Sequence, residues 1–373
     1  MKHLSVLIKP ASSLCNMRCN YCFYADVSGH RPAASHGIMS PEVLHAMLEN
    51  IFRDLDDGDE ITFAFQGGEP TLAGLPWYED FIATISFLQE KSGKNEIIFK
   101  YALQTNGLLL DQSWGDFLRK YNFLTGLSLD GGERFHDSNR RDARGEGTYR
   151  RVLQNKKLLE ECQVEYNILC VLTKESAKYP DKISRFIEQE NIRYIQFIPC
   201  LEGLNQETVS KNALRPAGFA NFYSALLRWW LGKLEEGVYI SVKFFDDVIN
   251  LFFKGIPSAC GIDGLCRAQY IVEADGGVYP CDFYVLDEYR AGNLTRQTLR
   301  EIFETDAMRS FVLRPRETPA FCETCSHHPF CRGGCRRMRQ VMYYGGGAIC
   351  GYKTFLDRRL GHLEYAAKRF FNL

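Results

Sequence analysis

The chain has 373 residues, of which 45% are hydrophobic and 24% are charged, and its formal net charge is -1. This length exceeds a typical single domain, and the small net charge offers no broad electrostatic basis for binding nucleic acid or an anionic membrane. The chain has fourteen cysteines but no apolar run long enough for a signal peptide or a membrane span. Such cysteine use indicates a reducing compartment, so we expect a cytoplasmic protein. We also expect a monomer.

Six strand patterns, each followed by a helical pattern, occupy the first two thirds of the chain. The predicted strands are rich in β-branched, aromatic or aliphatic residues, and they run Leu4–Pro10, Ile61–Gln66, Ile97–Leu103, Phe123–Leu129, Val164–Thr173 and Tyr194–Pro199. Helical spacing predicts one helix that starts at Ser40 and others over Trp77–Leu88, Ser113–Tyr121, Tyr149–Cys162, Tyr179–Gln189 and Pro216–Leu234. The alternation predicts an α/β fold with parallel strands, and six units rather than eight predict a partial barrel.

Three cysteines follow the first predicted strand in a CxxxCxxC pattern: Cys15, Cys19 and Cys22. A four-iron, four-sulfur cluster held by only three thiolates keeps one iron open to a substrate, and this spacing is the one that binds S-adenosylmethionine at that iron. A zinc site would need a fourth ligand, for which the nearest downstream candidates are His30 and His36 in a loop-like segment. The triplet therefore predicts radical chemistry.

Glycine-rich and polar segments follow the next three predicted strands. They are Gly67-Gly68-Glu69-Pro70, Thr105-Asn106-Gly107 and Ser128-Leu129-Asp130-Gly131. The carboxyl ends of the strands form the functional face of a βα barrel, so these segments are expected beside the cysteine loop. There, Gly68 would let the backbone approach the methionyl group of the cofactor, and Glu69 would receive or orient its ammonium.

The last third of the chain holds enough cysteines for two sites of four thiolates each. They are Cys260, Cys266, Cys281, Cys322, Cys325, Cys331, Cys335 and Cys350. Their spacing does not determine the pairing, and two zinc ribbons would use the same residues equally well. The triplet in the same chain favours iron-sulfur clusters, which could carry an electron away from or back toward the reacting centre.

Together these motifs resemble the radical S-adenosylmethionine enzymes that carry a SPASM domain, and among them the anaerobic sulfatase-maturating enzymes. The more specific likeness lies in the segments Ile8–Ser13, Phe23-Tyr24, Phe65–Gly74, Leu103–Gly107 and Tyr279–Tyr284. The resemblance implies a partial (β/α)6 barrel over residues 1–235. It also implies a SPASM domain over residues 236–373 that binds two auxiliary four-iron, four-sulfur clusters.

The same resemblance implies which residues hold the cofactors. The radical cluster would be held by Cys15, Cys19 and Cys22, auxiliary cluster I by Cys260, Cys266, Cys281 and Cys335, and auxiliary cluster II by Cys322, Cys325, Cys331 and Cys350. S-adenosylmethionine would contact Tyr21, Gly68, Ser128, Arg140 and Leu201. Arg141 is an alternative to Arg140 as the partner of the cofactor carboxylate.

The implied reaction oxidises a cysteine or serine in an unfolded sulfatase segment to formylglycine, with electrons from a flavodoxin- or ferredoxin-type donor. A deoxyadenosyl radical would take a hydrogen from the target Cβ, and auxiliary cluster I would take the second electron. Asp282, joined to Cys281 by one peptide bond, is the predicted base for the thiol or hydroxyl proton. Tyr24 and Gln66 adjoin cofactor motifs, so we expect them to contact the target peptide.

Two alternatives stay open at this level. A SPASM enzyme that forms thioether or carbon-carbon crosslinks in a ribosomal peptide would use the same clusters. Such enzymes often carry an additional N-terminal domain that grips a leader peptide, and we expect no room for one ahead of Cys15. The non-enzymatic alternative is a zinc-stabilised binding module, which would contain stoichiometric zinc and no iron or sulfide.

Overall fold

The computed structural model describes residues 1–204, 210–315, 317–344 and 349–371. These form two compact units, each assembled from separate stretches of chain. The first unit comprises Met1–Ser128, Arg141–Tyr166 and Ala268–Arg314, and the second comprises Leu129–Arg140, Asn167–Arg267 and Pro315–Leu373. The domain division predicted at residue 235 is not tested by these bounds and stays a prediction.

The strands of the described residues are β1 (His3–Ile8), β2 (Glu60–Phe65), β3 (Ile98–Thr105), β4 (Phe123–Ser128), β5 (Tyr166–Leu172), β6 (Tyr194–Pro199), β7 (Ser241–Val242), β8 (Tyr270–Val272), β9 (Gly277–Tyr279) and β10 (Gly292–Asn293). The helices over the barrel-like part are α1 (Phe23–Gly29), α2 (Pro41–Asp54), α3 (Leu75–Ser92), α4 (Gln112–Lys120), α5 (Glu133–Asp137), α6 (Tyr149–Glu161), α7 (Pro180–Gln189) and α8 (Pro216–Glu235). The later helices are α9 (Lys243–Lys254), α10 (Leu299–Phe303), α11 (Asp306–Leu313), α12 (His328–Cys331) and α13 (Gly351–Phe370).

In the first unit the strand order is β10-β9-β8-β1-β2-β3-β4. Strands β1 to β4 are parallel, and their register aligns Ile8 with Phe65 and Phe65 with Leu103. Their carboxyl ends therefore share one edge of the sheet, which is where the triplet and the glycine-rich segments emerge. Strand β8 also pairs in parallel with β1, while β8 with β9 and β9 with β10 form antiparallel pairs.

In the second unit, β5 pairs in parallel with β6, and β6 pairs in parallel with β7. The first residue of β5, Tyr166, falls in the first unit. Apolar residues of α8 and α9 are buried beside these strands, as shown by the edge-to-face contact of Phe197 with Phe222 at 5.1 Å between ring centroids. Burial of large aromatic side chains is the main contribution to the stability of such a core.

Helix α2 illustrates why the crossover helices form where the sequence predicts them. Ser40 caps the helix, its Oγ accepting the N–H of Val43 at 3.4 Å, and Pro41 occupies the first helical position. Leu44, Met47 and the other apolar residues at helical spacing form the buried face of this helix.

The predicted α/β class with parallel strands and helical crossovers is confirmed, and each of the six predicted strands and six predicted helices occurs close to its expected bounds. The sequence interpretation missed β7, β8, β9 and β10. Each of these has only two or three residues, which is too short for an alternating pattern to be recognised. Within the described ranges, no helix is both long enough and apolar enough to span a membrane.

Candidate active site

The cysteine triplet lies in a loop of the first unit that leads from β1 into α1. Cys15 and Cys19 precede the helix, and Cys22 is its N-terminal cap, with the Sγ accepting the backbone N–H of Ala25 at 3.4 Å. The Sγ of Cys15 accepts a side-chain N–H of Asn106 at 3.8 Å. N–H donors of this kind stabilise a thiolate, so the loop fits a cluster held by sulfur ligands.

Burial raises the pKa of Cys15 to about 11, although the N–H of Met17 acts in the opposite direction. The charges of Glu69 and then of Cys22 add to the rise in the pKa of Cys15. Binding of iron must therefore displace a proton from Cys15.

The Gly67-Gly68-Glu69-Pro70 segment is clasped against the chain that leads to Cys15. Gly68 donates its N–H to the carbonyl of Ser12 at 2.9 Å, and Glu69 donates its N–H to the carbonyl of Leu14 at 2.7 Å. A Cβ on Gly68 would lie only 2.0 Å from the Leu14 carbonyl oxygen. Close backbone approach explains the glycine, so this part of the predicted cofactor loop is built by β2 and the triplet loop together.

The Glu69 carboxylate is buried and ties the ends of β2 and β3 together. One oxygen accepts from the Thr71 hydroxyl at 2.6 Å and the Thr105 hydroxyl at 2.7 Å, and the other accepts the N–H of Asn106 at 2.8 Å. Burial raises the pKa of Glu69, and these donors oppose that rise. Glu69 therefore orders two of the predicted cofactor segments, and its expected contact with the methionyl ammonium stays a prediction.

Asp282 lies in the first unit, in a short 3-10 turn (Asp282–Tyr284) after β9, and two residues hold its carboxylate. Lys9 donates to Oδ1 at 2.5 Å, and the Gln66 amide donates to Oδ2 at 2.6 Å. The next residue, Phe283, packs edge-to-face with Phe23, which follows the triplet, at 5.1 Å between ring centroids. The structure thus brings the predicted base and one predicted peptide contact to the triplet loop.

Tyr24, the other predicted peptide contact, is buried and lies under the Lys9 ammonium, which is 3.8 Å from its ring centroid. The Tyr24 hydroxyl donates to Glu273, which also accepts from the Ser12 hydroxyl at 2.7 Å and from Arg31 at 3.1 Å. Burial, followed by the charge of Glu273, raises the pKa of Tyr24 well above its ordinary value. Tyr24 is therefore a neutral hydrogen-bond donor inside this network.

The predicted cofactor contacts are divided between the two units. Tyr21, Gly68 and Ser128 lie in the first unit, and Arg140 and Leu201 lie in the second. Leu201 is half-buried and follows β6, while Ser128 is the last residue of β4.

Arg140 is buried beside Asp130, with its Nε 3.3 Å from a carboxylate oxygen of that residue. The other carboxylate oxygen of Asp130 accepts the N–H of Val171 at 2.9 Å. Arg141, in contrast, is exposed and its guanidinium contacts the carbonyl of Gly145 at 3.2 Å. The two arginines thus differ sharply in setting, and the assignment of the cofactor carboxylate to Arg140 stays a prediction.

Four of the late cysteines line a single cavity of the second unit. They are Cys322, Cys325, Cys331 and Cys350, the set predicted for auxiliary cluster II. Cys350 caps α13, and its Sγ accepts the N–H of Lys353 at 3.4 Å. Burial, followed by the charges of the three companion thiols, raises the pKa of Cys331 to about 11. Four sulfur atoms around one cavity, with an N–H donor, suit a fully ligated cluster.

Three of the four residues predicted for auxiliary cluster I, Cys260, Cys266 and Cys335, belong to the second unit. Cys260 and Cys335 line a cavity of about 150 Å³, and a Cβ on Gly261 would lie 2.8 Å from the Cβ of Cys335. Cys260 is exposed as a residue, yet partial burial of its thiol and then the charges of Cys335 and Cys266 raise its pKa to about 11. Cys281, the fourth predicted ligand, lies in the first unit.

Sequence reasoning missed Lys9 and Glu273 as members of this site. Both are fully buried charged residues, and each contacts a predicted functional side chain. Lys9 lies in the predicted strand Leu4–Pro10 and directly follows β1, which was a usable signal because lysine is rarely buried without a charged partner. Glu273 carried no comparable signal, since it follows a strand of three residues.

The chain matches two family models. Residues 10–187 match the Radical SAM superfamily, and residues 265–326 match an iron-sulfur cluster-binding domain named SPASM.

Curated relatives and a solved structure agree with these matches. The chain is 38% identical to a cysteine-type anaerobic sulfatase-maturating enzyme of Clostridium novyi (strain NT), over 99% of this chain and 98% of the relative. It is 39% identical to the enzyme of the same name from Clostridium perfringens (strain 13 / Type A), over 100% of this chain and 99% of the relative. The structure of native anSMEcpe with bound AdoMet and Cp18Cys peptide is 37% identical, with a TM-score of 0.88, over 98% of this chain and 99% of that one.

Proposed function

The chain belongs to the anaerobic sulfatase-maturating enzymes of the radical SAM superfamily, and we propose that it oxidises a cysteine in an unfolded sulfatase segment to formylglycine. Cysteine is favoured over serine as the target because the relatives that match at 38% and 39% identity over the whole chain are named as cysteine-type enzymes. The single observation that carries the proposal is the placement of Asp282 between Lys9 and Gln66, in the unit that holds the triplet.

The radical SAM and SPASM domains imply iron-sulfur clusters and S-adenosylmethionine as the cofactors. We propose three clusters: one on Cys15, Cys19 and Cys22, one on Cys260, Cys266, Cys281 and Cys335, and one on Cys322, Cys325, Cys331 and Cys350. The gathering of the last set around one cavity supports the count. When bound, the triplet cluster and S-adenosylmethionine supply the abstraction of a hydrogen atom from the target Cβ.

Residues of the chain itself would then accept the proton that leaves the target side chain. Asp282 accepts that proton, with Lys9 holding one carboxylate oxygen and Gln66 the other. Because Lys9 is fully buried, no solvent competes for its ammonium, and the carboxylate is held in one orientation. Gln66 and Tyr24 are the side chains proposed to meet the peptide next to this base.

Other parts of the proposal rest on the family resemblance and, for the location, on composition. A flavodoxin- or ferredoxin-type protein is the proposed electron donor, because reduction of the clusters requires a one-electron carrier. A reducing cytoplasm is the proposed location, since fourteen cysteines would be oxidised elsewhere. The chain is proposed to act as a monomer.

Replacement of Asp282 by Asn tests the role of the base. Asp282→Asn keeps the shape of the side chain and removes its basicity, and loss of a general base costs about 100 to 10,000-fold in rate. We expect formylglycine to fall by that factor while deoxyadenosine is still formed. The measurement is mass spectrometry of both products after anaerobic incubation with a peptide that bears a sulfatase-type Cys-x-Pro-x-Arg segment.

A matched control is Asp306→Asn, at the exposed first residue of α11 in the same unit. It should leave both products near the wild-type yield. Near-normal formylglycine from Asp282→Asn would contradict the proposed base, and a crosslinked peptide in place of the aldehyde would contradict the proposed reaction.

A further inference from the structure

One aromatic side chain, Tyr343, borders two cavities of the second unit, one lined by four of the late cysteines and the other by two of them. The cavity lined by Cys322, Cys325, Cys331 and Cys350 has Tyr343 in its wall. The separate cavity of about 150 Å³ beside Cys260 and Cys335 has Tyr343 in its wall as well. Among the described residues that line these two cavities, Tyr343 is the one they share.

The Cys331–Cys335 segment contacts this ring at Gly334, and the two cysteines at its ends line different cavities. Cys331 belongs to the first cavity and Cys335 to the second, although only three residues separate them. Between them, Gly334 has a positive φ of 65°, and its N–H donates to the Cys331 carbonyl at 2.6 Å. The chain therefore makes a tight turn at Gly334, the residue that contacts the Tyr343 ring.

The Tyr343 ring packs directly against this turn. A Cβ on Gly334 would lie 1.9 to 2.4 Å from three carbons of the ring, so the absence of a side chain lets the ring reach the backbone. On its other side, the ring lies 5.3 Å from that of Tyr352, two residues after Cys350. Tyr343 is 2% exposed and ends a π-helical turn (Arg339–Tyr343), a rare geometry that is frequent at functional sites.

We propose that the Tyr343 ring is a wall shared by the two auxiliary cluster sites, which keeps water from both and so sets the reduction potential of each. This inference rests on the two auxiliary clusters of the proposed function. Solvent access and the dielectric around a cluster govern its reduction potential, so a residue that seals two sites acts on both at once. Because removal of the ring is expected to move both potentials in the same direction, Tyr343 would set the level of each potential rather than the difference between them.

The sign of the effect follows from charge. A cluster held by four thiolates carries more negative charge when reduced, and water stabilises the more highly charged form. Removal of the ring admits water to both cavities, so both midpoint potentials should rise. Replacement by phenylalanine keeps the ring and should leave both potentials unchanged.

The test is an anaerobic redox titration of the full-length, reconstituted chain, followed by electron paramagnetic resonance, with iron and sulfide measured for each variant. Tyr343→Leu should raise the midpoint potentials of both auxiliary signals, and Tyr343→Phe should raise neither. Two variants serve as matched controls because each touches one cavity. Phe321→Leu, in the wall beside Cys322, should move one auxiliary signal, and Met342→Ala, in the wall beside Cys335, should move the other.

A change in only one potential, or in neither, for a Tyr343→Leu variant with the wild-type iron content would overturn the inference. If that variant binds less iron, Tyr343→Met, which has a long side chain but no ring, replaces it with the same pair of shifts expected. A wild-type chain that lacks two auxiliary clusters would overturn both the cluster assignment and the shared wall. If the wild-type chain holds both clusters and forms formylglycine, but Tyr343→Leu shifts only one midpoint potential, the shared wall alone is overturned.

Discussion

Gly68 allows the predicted cofactor loop to approach the segment before Cys15 closely, because it has no side chain. Two consecutive backbone N–H groups, of Gly68 and Glu69, bond to carbonyls of the segment that leads to Cys15, at 2.9 and 2.7 Å. There is no space for a side chain at Gly68, because its Cβ would penetrate the Leu14 carbonyl. The constraint comes from chain packing, so it holds with or without bound cofactor.

We expect Gly68→Ala to separate this segment from the triplet loop. Overpacking of this kind costs about 1 to 3 kcal/mol, and a displaced loop should lower deoxyadenosine formation about tenfold. The measurement is deoxyadenosine yield after dithionite reduction, with denaturant unfolding for stability. Gly361→Ala is the control, since nothing lies within 4 Å of its Cβ position in α13. Equal deoxyadenosine yields from both variants would show that close packing of Gly68 on the Leu14 carbonyl is not needed for cleavage of the cofactor.

His136 gives the second unit a defined response to acid. It is fully buried, its Nδ1 accepts the N–H of Asp130 at 3.3 Å, and Arg140 follows it in the chain by four residues. Burial, followed by the charge of Arg140, lowers the pKa of His136 to about 2. The folded chain thus holds a neutral imidazole beside the predicted cofactor arginine at any pH near neutrality.

This lowered pKa predicts a loss of stability on acidification. Below the ordinary histidine pKa of about 6.5, the unfolded chain binds a proton that the folded chain does not, so the free energy of unfolding falls as the pH falls. From about pH 7.5 to about pH 5.5 this single group should cost about 1.4 kcal/mol. The measurement is urea unfolding at both pH values. His136→Asn, whose Oδ1 can still accept a hydrogen bond, should lack that part of the slope, and parallel slopes would contradict the assignment.

At the scale of elements, the β8–β9 hairpin brings a late segment of the chain to the predicted active site. Strand β8 pairs with β1, so the residues that follow each of these strands become neighbours. At one end of the hairpin loop Glu273 bonds to Ser12, Tyr24 and Arg31, and beyond β9 Asp282 bonds to Lys9 and Gln66. One hairpin of two short strands therefore orders both sides of the triplet loop.

Removal of the Glu273 carboxylate should destabilise this arrangement strongly. Arg31 and Glu273 both have fully buried side chains, and loss of one partner of a buried pair costs about 3 to 5 kcal/mol. We expect Glu273→Ala to lower the free energy of unfolding by that amount, measured by anaerobic urea denaturation. Glu273→Gln keeps the shape and some hydrogen bonds, so it should cost less. Asp287 Oδ1 also lies 3.8 Å from Arg31 Nε, so a loss below about 1 kcal/mol in Glu273→Ala would mean that this exposed carboxylate compensates for Glu273.

At the scale of the whole molecule, the cysteine ligands are allotted to the two units in an uneven way. The triplet and Cys281 lie in the first unit, and the other seven predicted ligands lie in the second. The four cysteines around the Tyr343–Tyr352 pair thus belong to a unit that contains no member of the triplet. Loss of the radical cluster should consequently leave the cluster of that cavity in place.

Cys19→Ala tests this independence. Removal of one of only three thiolates should eliminate the radical cluster, so the chain should lose about a third of its iron and sulfide. Deoxyadenosine formation after reduction should cease, while the auxiliary signals in electron paramagnetic resonance remain. The readouts are iron and sulfide analysis with product quantification. Cys162→Ala, at the end of α6 and outside every predicted ligand set, is the control and should keep all three quantities. Undiminished deoxyadenosine in Cys19→Ala would contradict the assignment of the triplet.

Local pattern alone was sufficient to predict the six β/α units, the cysteine triplet and the α/β class. Strands such as β2 and helices such as α2 have six or more residues, and periods of two or of 3.6 residues are visible over that length. The CxxxCxxC spacing is likewise local, because all three cysteines fall within eight consecutive residues. The grouping of the late cysteines was different, since eight residues can be divided in many ways and only a family resemblance chose between them.

Tertiary structure decided which residues that are remote in the sequence contact each other. The partnership of Lys9 with Asp282 joins residues 273 positions apart, and it depends on a three-residue strand that pairs in parallel with β1. The placement of Cys331 and Cys335 in different cavities depends on a turn around one tyrosine. Neither is encoded by a repeating pattern, because both arise from close packing between segments that are remote in the chain. The sequence by itself therefore determined the elements and predicted the chemistry of the triplet, while packing decided the partners of Asp282, the burial of Tyr24 and the position of Tyr343 beside two cavities.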